Sequence, residues 1–243
     1  MPSAAGVVQT GVADLIKQGC IDGVLMDIDG TLTNSDPIHE TVFREMLMES
    51  GFNNHQPITH EYFKEQISGG NNAILTAKLW PNWTQSAREA WIDEKEARFR
   101  ALAATSLKPL PGLLDFLQWL QQRGVRVGAV TNAPKANAQI MLAGIGLQSH
   151  FEVVIFGEEC TRPKPFPDPY QAGMVALGLT PERTLVFEDS AAGAMAGVAS
   201  GAITVAVLTS QSAERMQAVG VKECIQDYTD MLDMNTRAEL AAQ

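Results

Sequence analysis

Two aspartates at the end of an apolar run are the residues of this sequence best placed to do chemistry. Residues 24–26 have the character of a buried parallel strand, and Asp27 and Asp29 come immediately after it. Residues two apart on a regular strand point to one face, where crowded carboxylates are costly unless a cation or a proton lies between them. Because open α/β sheets bind ligands at the carboxyl ends of their strands, the pair indicates a Mg²⁺ or acid–base site there.

The same two aspartates, followed by Gly30, also fit a calcium loop or an ordinary turn. An EF-hand needs a Glu at the twelfth position of its loop, and the twelfth residue counted from Asp27 is Ile38, which excludes that motif. A polar turn after a core strand stays open as an interpretation of the motif taken by itself.

Further polar groups stand at the ends of predicted strands or in the loops beside them, namely Thr131 and Asn132, Lys164, and Glu188 and Asp189. Each has an ordinary explanation, such as a turn cap, a solvated lysine or a helix N-terminus that attracts negative charge. The carboxyl ends of parallel strands converge, however, so we expect these groups to meet the two aspartates at one edge of the sheet.

Together these groups supply what phosphoryl transfer requires. One carboxylate can attack phosphorus and form an aspartyl phosphate, while a second acts as acid and base. A hydroxyl, an amide and a lysine can bind phosphate oxygens, and Mg²⁺ can offset their charge. The ordered set therefore predicts one phosphoryl-transfer site.

The hydrophobic pattern predicts the elements that position this site. From residue 109 onward strands alternate with helices, and the predicted strands after the first cover residues 125–130, 153–156, 184–187 and 203–207. This alternation predicts a parallel sheet with right-handed crossovers. Residues 37–106 have no convincing strand pattern, and helices are predicted there over residues 39–50, 59–67, 73–79 and 85–106. The helical block splits the sheet after its first strand.

The long helix predicted over residues 85–106 is highly charged. Glu94 and Arg98 have the i,i+4 spacing of a supporting ion pair, and so do Glu96 and Arg100. Lys95 falls on the apolar face, and we predict a snorkelling side chain there, not a ligand.

Composition narrows the function further. The chain has 243 residues, a net charge of −10 and a pI of about 4.8, which argues against a broad nucleic-acid or anionic-membrane surface. It does not argue against a small phosphorylated metabolite, because a local lysine and a metal can reverse the global field. Three scattered cysteines indicate neither a disulfide framework nor a metal site. No run reaches membrane-spanning length and no leader is evident, so together with the cysteines we expect a cytoplasmic location. For the oligomeric state we expect a monomer.

The motifs resemble, in order, the four motifs of the haloacid dehalogenase superfamily, and they are Asp27-Ile-Asp29-Gly-Thr31, Thr131-Asn132, Lys164 and Glu188-Asp189-Ser190-x-x-Gly193. The resemblance implies an α/β fold with a Rossmann-like core, a parallel sheet and an inserted all-helical C1 cap. The implied core is residues 1–33 and 107–243, and the implied cap is residues 34–106. The chain is similar to the β-phosphoglucomutase branch, and the segments most similar to plant broad-range small-sugar phosphatases are residues 36–39, 51–54, 131–135 and 185–190.

The resemblance also implies a role for each carboxylate. Asp27 would be the nucleophile, and Asp29 would protonate the leaving alcohol and later activate water. The Mg²⁺ cofactor would be held by Asp27, the backbone carbonyl of Asp29 and Asp189, with Glu188 nearby.

The resemblance implies binding roles for the remaining polar groups. Thr131, Asn132 and Lys164 would hold the phosphoryl oxygens. His39 and Asn72, the latter in the loop of residues 69–72, would lie on the face of the cap over the site. The cap would then close as a lid, exclude water and select the substrate.

Two alternatives stay open beside a Mg²⁺-dependent sugar-phosphate phosphatase. A non-catalytic phosphate-binding protein would not need the acid–base Asp29. A phosphoglucomutase-type isomerase must hold a second phosphate, ideally with an arginine from the cap. The sequence has Asn72 where such mutases carry that arginine, and no Arg between Arg44 and Arg88. We therefore expect net hydrolysis of small sugar monophosphates.

Overall fold

The computed structural model describes residues 11–233, together with Thr236 and Leu240. The described part begins with a short helix at Val12–Lys17, and residues 1–10 lie outside it. The predicted α/β fold is confirmed. One parallel sheet carries six strands, which are β1 (Gly23–Met26), β2 (Arg126–Thr131), β3 (Val153–Phe156), β4 (Thr184–Glu188), β5 (Ile203–Val207) and β6 (Glu223–Ile225).

The strand order is β3-β2-β1-β4-β5-β6, so β1 lies between β2 and β4. Met26, the last residue of β1, pairs with Ala129 of β2 and with Phe187 of β4. This register brings the carboxyl ends of the three central strands to one edge. The polar residues that end β2 and β4 therefore meet those that follow β1, as the sequence predicts.

Ten helices have been assigned in the described part of the chain, and they are α1 (Val12–Lys17), α2 (Asp36–Glu49), α3 (His60–Gln66), α4 (Asn72–Leu79), α5 (Gln85–Ser106), α6 (Leu113–Gln122), α7 (Lys135–Gly144), α8 (Asp168–Ala176), α9 (Ala191–Ala199) and α10 (Ala213–Val219). Thr59 and Thr84 cap α3 and α5 through their side chains, which satisfies backbone N–H groups at those helix starts. No helix in the part that the structure describes is long and apolar enough to cross a membrane.

Helices α2 to α5 bury an apolar cluster of their own, formed by Val42, Phe43, Met46, Leu47, Ile58, Phe63, Ile67, Leu75, Trp80 and Trp91. The chain enters and leaves this block at adjacent points, because Thr33 forms bridges with both Asp29 and Pro109. Phe99 and Ala103 on α5 belong instead to the main core, together with buried residues of β1, β2 and β4. The assignment of residues 34–106 as a separate cap domain stays a prediction.

Candidate active site

A cleft of about 800 Å³ lies between the carboxyl edge of the sheet and helices α2, α4 and α5. Most of the residues predicted for the site line it, namely Asp27, Asp29, His39, Asn72, Thr131, Asn132, Lys164 and Asp189. Glu188 has no exposed surface and lies behind the lining. The structure therefore brings residues from distant parts of the sequence into one polar centre.

Asp27 is a buried carboxylate that faces a buried lysine. The Nζ atom of Lys164 lies 2.7 Å from Oδ1 of Asp27. Burial raises the pKa of Asp27 to about 7, since the attraction of Lys164 only partly offsets it while Glu188 and Asp29 add to the increase. Asp27 thus needs a further positive charge to stay ionised at lower pH.

Lys164 holds three acceptors at once. Besides Asp27, its ammonium donates to the carbonyl of Val130 at 2.8 Å and to Oε1 of Glu188 at 2.6 Å. Burial opposes its charge, but Asp27 and Glu188 outweigh burial and raise the pKa of Lys164. Lys164 therefore stays an ammonium. Because Lys164 is buried, the alternative interpretation of it as a solvated lysine is wrong.

The side chain of Asn132 fixes the loop that carries Lys164. Its Nδ2 donates to the carbonyl of Lys164 at 3.0 Å, and its Oδ1 accepts from the backbone N–H of Lys164 at 3.2 Å. The neighbouring Thr131 is buried, and its hydroxyl accepts from the N–H of Ala133 at 3.0 Å. The amide of Asn132 is thus turned toward the loop, whereas the Thr131 hydroxyl still has its proton to donate.

Both oxygens of Glu188 are fully engaged by protein donors. Oε1 accepts from Lys164 and from the hydroxyl of Tyr170 at 2.7 Å, and Oε2 accepts from the Ser190 hydroxyl at 3.1 Å. A Cβ atom at Gly193 would lie 1.7 Å from Oε1 of Glu188, which explains why the motif ends in glycine. Tyr170 is a site residue that sequence reasoning missed.

Asp27, Glu188 and Asp189 form a compact group of carboxylates whose candidate ligand atoms lie within 4.8 Å of one another. Burial, followed by the charges of Asp27 and Glu188, raises the pKa of Asp189 well above its usual value. Gly30 has a φ of 84°, and a Cβ there would lie 2.1 Å from Oδ2 of Asp189. The group consists of hard oxygen donors without nitrogen or sulfur, which fits Mg²⁺.

The carboxylate of Asp29 is not part of this acidic group. Strand β1 ends at Met26, and the turn that follows points the Asp29 side chain toward α2. There Asp29 accepts from the hydroxyl of Ser35 and lies 3.1 Å from Nε2 of His39. Burial opposes its charge, but His39, Ser35 and Lys95 outweigh it and lower its pKa. Both aspartates line the cleft, but the Asp29 carboxylate is not among the candidate metal ligands, so the binding of Mg²⁺ by its backbone carbonyl stays a prediction.

His39 sits between the helical block and Asp29. Its ring stacks on Phe99, with a centroid distance of 4.1 Å and an interplanar angle of 6°. Its Nδ1 atom is buried and has no hydrogen-bond partner among the described residues. His39 contacts the carboxylate of Asp29 directly, so its position goes beyond the cap-face placement predicted from the sequence.

Two predictions for α5 are wrong. Lys95 does not snorkel to solvent, because its side chain is 3% exposed and its Nζ lies 3.0 Å from Oε1 of Glu96. Glu96 does not pair with Arg100, which instead donates to Oδ1 of Asn137 at 3.0 Å. Glu96 accepts from Asn72 at 2.6 Å and also from Asn137. These side chains line the cleft and join the helical block to α7.

Three site residues were not predicted from the sequence, and they differ in how clearly the sequence indicated them. Ser35 precedes the start of α2, a position that suits a short polar residue. Tyr170 lies in the first turn of α8, just after the loop with prolines at positions 163, 165 and 167. Nothing in its spacing indicates contact with Glu188. Asn137 lies in the first turn of α7 and is buried, whereas asparagine is usually exposed, so its residue type did not indicate a place in the site.

A family model described as haloacid dehalogenase-like hydrolase matches residues 21–201. A phosphoglycolate phosphatase of Xanthomonas campestris is 32% identical over 76% of this chain and 82% of its own length. The fructose-1-phosphate phosphatase of Escherichia coli is 29% identical over 74% of this chain and 92% of its own length. The chain belongs to the haloacid dehalogenase-like hydrolase family, and it is therefore a hydrolase by family.

Solved structures support the fold. CbbY from Rhodobacter sphaeroides in complex with phosphate has a TM-score of 0.75 and 21% identity, and the match covers 89% of this chain and 98% of that one. The relatives named above are bacterial, so the closer likeness to plant sugar phosphatases stays a prediction.

Proposed function

We propose that this protein is a Mg²⁺-dependent phosphatase that hydrolyses small sugar phosphates through an aspartyl phosphate on Asp27. One observation carries the proposal: Asp27 and Asp29 occupy different environments. Asp27 faces Lys164 and the acidic group, whereas Asp29 faces Ser35 and His39. Two carboxylates whose surroundings push their pKa values apart are suited to separate tasks.

In the first step a carboxylate oxygen of Asp27 forms a bond to phosphorus, and the bond from phosphorus to the alcohol oxygen breaks. The leaving oxygen takes its proton from Asp29. In the second step Asp29 takes a proton from water, and the resulting hydroxide attacks phosphorus and releases Asp27 and inorganic phosphate. The hydrogen bonds from Ser35 and His39 favour ionised Asp29, which suits the second step, and an arriving anionic phosphate favours its protonated form.

The remaining residues position the phosphoryl group. Lys164, Thr131 and backbone N–H groups at Asn132 would donate to its oxygens. Asp27, Asp189 and the carbonyl of Asp29 would hold Mg²⁺, with Glu188 supporting them from behind. The ion would offset the charge of the phosphate and keep Asp27 ionised, which its raised pKa otherwise opposes.

The substrate class rests on the names of relatives and on the cleft. The relatives include enzymes named for fructose 1-phosphate and N-acetylmuramic acid 6-phosphate. A cleft of about 800 Å³ has room for a small sugar beside the phosphoryl group. Its far wall mixes apolar side chains such as Phe43 and Ile92 with polar Asn72, which suits a sugar.

The test measures phosphate release from fructose 1-phosphate, other small sugar phosphates and p-nitrophenyl phosphate, in Mg²⁺ and in excess chelator. We expect activity with Mg²⁺ and none with chelator. Asp27→Asn should lose activity by about a thousandfold or more, since an amide is a poor nucleophile. The control is Asp22→Asn, which removes an exposed carboxylate paired with Arg183 before the same strand. Full activity in chelator, or substantial activity of Asp27→Asn, would contradict the proposal.

A mutase is the second candidate, and one observation favours it. Lys95 lines the cleft and brings a cation into it, although no arginine lies between Arg44 and Arg88. Its charge is already offset by Glu96 at 3.0 Å, however, so little remains for a second phosphate. A coupled assay with glucose 1-phosphate decides between them, because isomerisation much faster than phosphate release would promote the mutase.

A further inference from the structure

We propose that Glu96 determines substrate selectivity by accepting a hydroxyl of the leaving group and repelling leaving groups that carry a second anion. The inference rests on the proposed phosphatase function and names its substrate class as phosphate esters of uncharged polyols. Glu96 lies on α5, lines the cleft and is buried, with a side chain 8% exposed.

Glu96 is held in place by three donors from three helices. Oε1 accepts from Nδ2 of Asn72 at 2.6 Å and from Nζ of Lys95 at 3.0 Å. Oε2 accepts from Nδ2 of Asn137. Burial opposes the charge of Glu96, but Lys95 and Asn137 outweigh it and lower its pKa. The cleft therefore contains a fixed and ionised carboxylate.

The contacts leave capacity for a substrate group. A carboxylate has about four lone-pair sites, of which the described partners use three, so one remains on Oε2. Lys95 has three N–H donors, one directed at Glu96, while its ammonium lies 5.2 Å and 5.6 Å from the ring centroids of Phe43 and Phe99. A hydroxyl suits this pair, because it can donate to Glu96 and accept from Lys95. A carboxylate or phosphate can only accept.

The charges around the rest of the cleft favour the same choice. Beyond the phosphoryl site the ionisable lining residues are Asp36, His39, Lys95, Glu96 and Glu158, and no arginine is found among the lining residues that the structure describes. Acidic groups outnumber the single lysine, and that lysine is paired. Moving a second anionic group of the substrate from water into this part of the cleft is therefore costly, because none of the lining residues named here offers an unpaired cation to it.

The orientation of the pair places it near the reacting end of the substrate. His39, whose Nε2 lies 3.1 Å from Asp29, stacks on Phe99, and the Nζ atom of Lys95 lies 5.6 Å from the centroid of the same ring. A group on the leaving side of the ester, a few bonds from phosphorus, would therefore reach this pair. The charges of the phosphoryl group itself would be compensated by Lys164 and by the ion that Asp27 and Asp189 would hold, so the selectivity concerns the leaving group.

The experiment compares two substrates that differ by one group. Glycerol 3-phosphate and 3-phosphoglycerate share a three-carbon chain and differ in a CH₂OH or a carboxylate at the far carbon. We expect kcat/KM of the wild-type protein to favour glycerol 3-phosphate by about tenfold or more, which corresponds to about 1.4 kcal/mol. Glu96→Gln keeps the shape and removes the charge, so the preference should fall to within about threefold. Hydrolysis of p-nitrophenyl phosphate by the wild-type protein is measured beside both substrates, as the readout of the phosphatase function itself.

Glu94→Gln is the matched control, because Glu94 lies on the same helix but is exposed and paired with Arg98. It should keep the wild-type preference. An unchanged preference in folded Glu96→Gln would overturn the assignment. If that variant does not fold, the wild-type ratio decides, and a ratio near or below one overturns the proposal. Failure to hydrolyse any of the three esters would instead overturn the phosphatase function, and this inference with it.

Discussion

Replacing Asp27 by asparagine is expected to stabilise the metal-free protein at alkaline pH while it abolishes turnover. The buried carboxylate is needed for chemistry, but its charge destabilises the fold. Its neighbours Glu188 and Asp189 are buried carboxylates too, and Lys164 is the one ammonium that contacts it among the described residues. Asparagine has nearly the same shape as a protonated aspartate and does not carry the charge.

The magnitude follows from the pKa of Asp27. Burial raises it from 3.8 to about 7, a difference of about 3, which is worth about 4 kcal/mol. Because the folded-state pKa is raised, the stabilising protonated form is fully present below the unfolded pKa. That stability is lost as the pH rises through 7. Asp27→Asn should therefore be more stable than the wild type by about 4 kcal/mol at pH 8 and by less than about 2 kcal/mol at pH 5.

Urea unfolding in chelator at pH 5 and pH 8 measures both differences. Adding Mg²⁺ should raise the unfolding midpoint of the wild type more than that of the variant, which has one anionic ligand fewer. Asp22→Asn serves again as control, since its exposed carboxylate should show neither effect. If Asp27→Asn is no more stable than the wild type at pH 8, or if the difference is equal at both pH values, the reasoning is refuted.

Three further predictions concern single groups. Lys164→Met should destabilise the fold by about 3–5 kcal/mol in chelator, because it leaves Asp27 and Glu188 unpaired, and partial recovery of the unfolding midpoint by Mg²⁺ would distinguish charge from packing. His39→Ala should lower kcat about equally for all substrates and move the acidic limb of the kcat profile to higher pH, since it removes a hydrogen bond that lowers the pKa of Asp29; an effect confined to some sugars would instead support a role in substrate choice. Ca²⁺ should inhibit the Mg²⁺-loaded enzyme, because it accepts more oxygens in looser geometry, and unchanged phosphate release in a Ca²⁺ titration would count against a Mg²⁺ site.

Much of the fold could be predicted because its signals are local. A parallel strand buried on both faces must be apolar throughout, so the run over residues 184–187 predicts β4 (Thr184–Glu188) nearly to its ends. Helix α5 follows from its length and its Thr84 cap. Strand β6 (Glu223–Ile225) and helix α10 were not predicted, since three residues are too few to show a period and α10 buries only Met216.

The sequence by itself determined which polar residues would meet, because the parallel sheet brings the ends of β1, β2 and β4 to one edge. What each side chain does there depended on contacts between distant segments. Strand β1 ends before Asp27, and Asp29 in the turn that follows contacts Ser35 and His39 instead of the acidic group. The packing of α5 against α7 brings Lys95 and Glu96 to the cleft. Helical periodicity states which residues share a face, but not what that face packs against. Only the tertiary structure, through burial and long-range contacts, decided which charged side chains pair with one another.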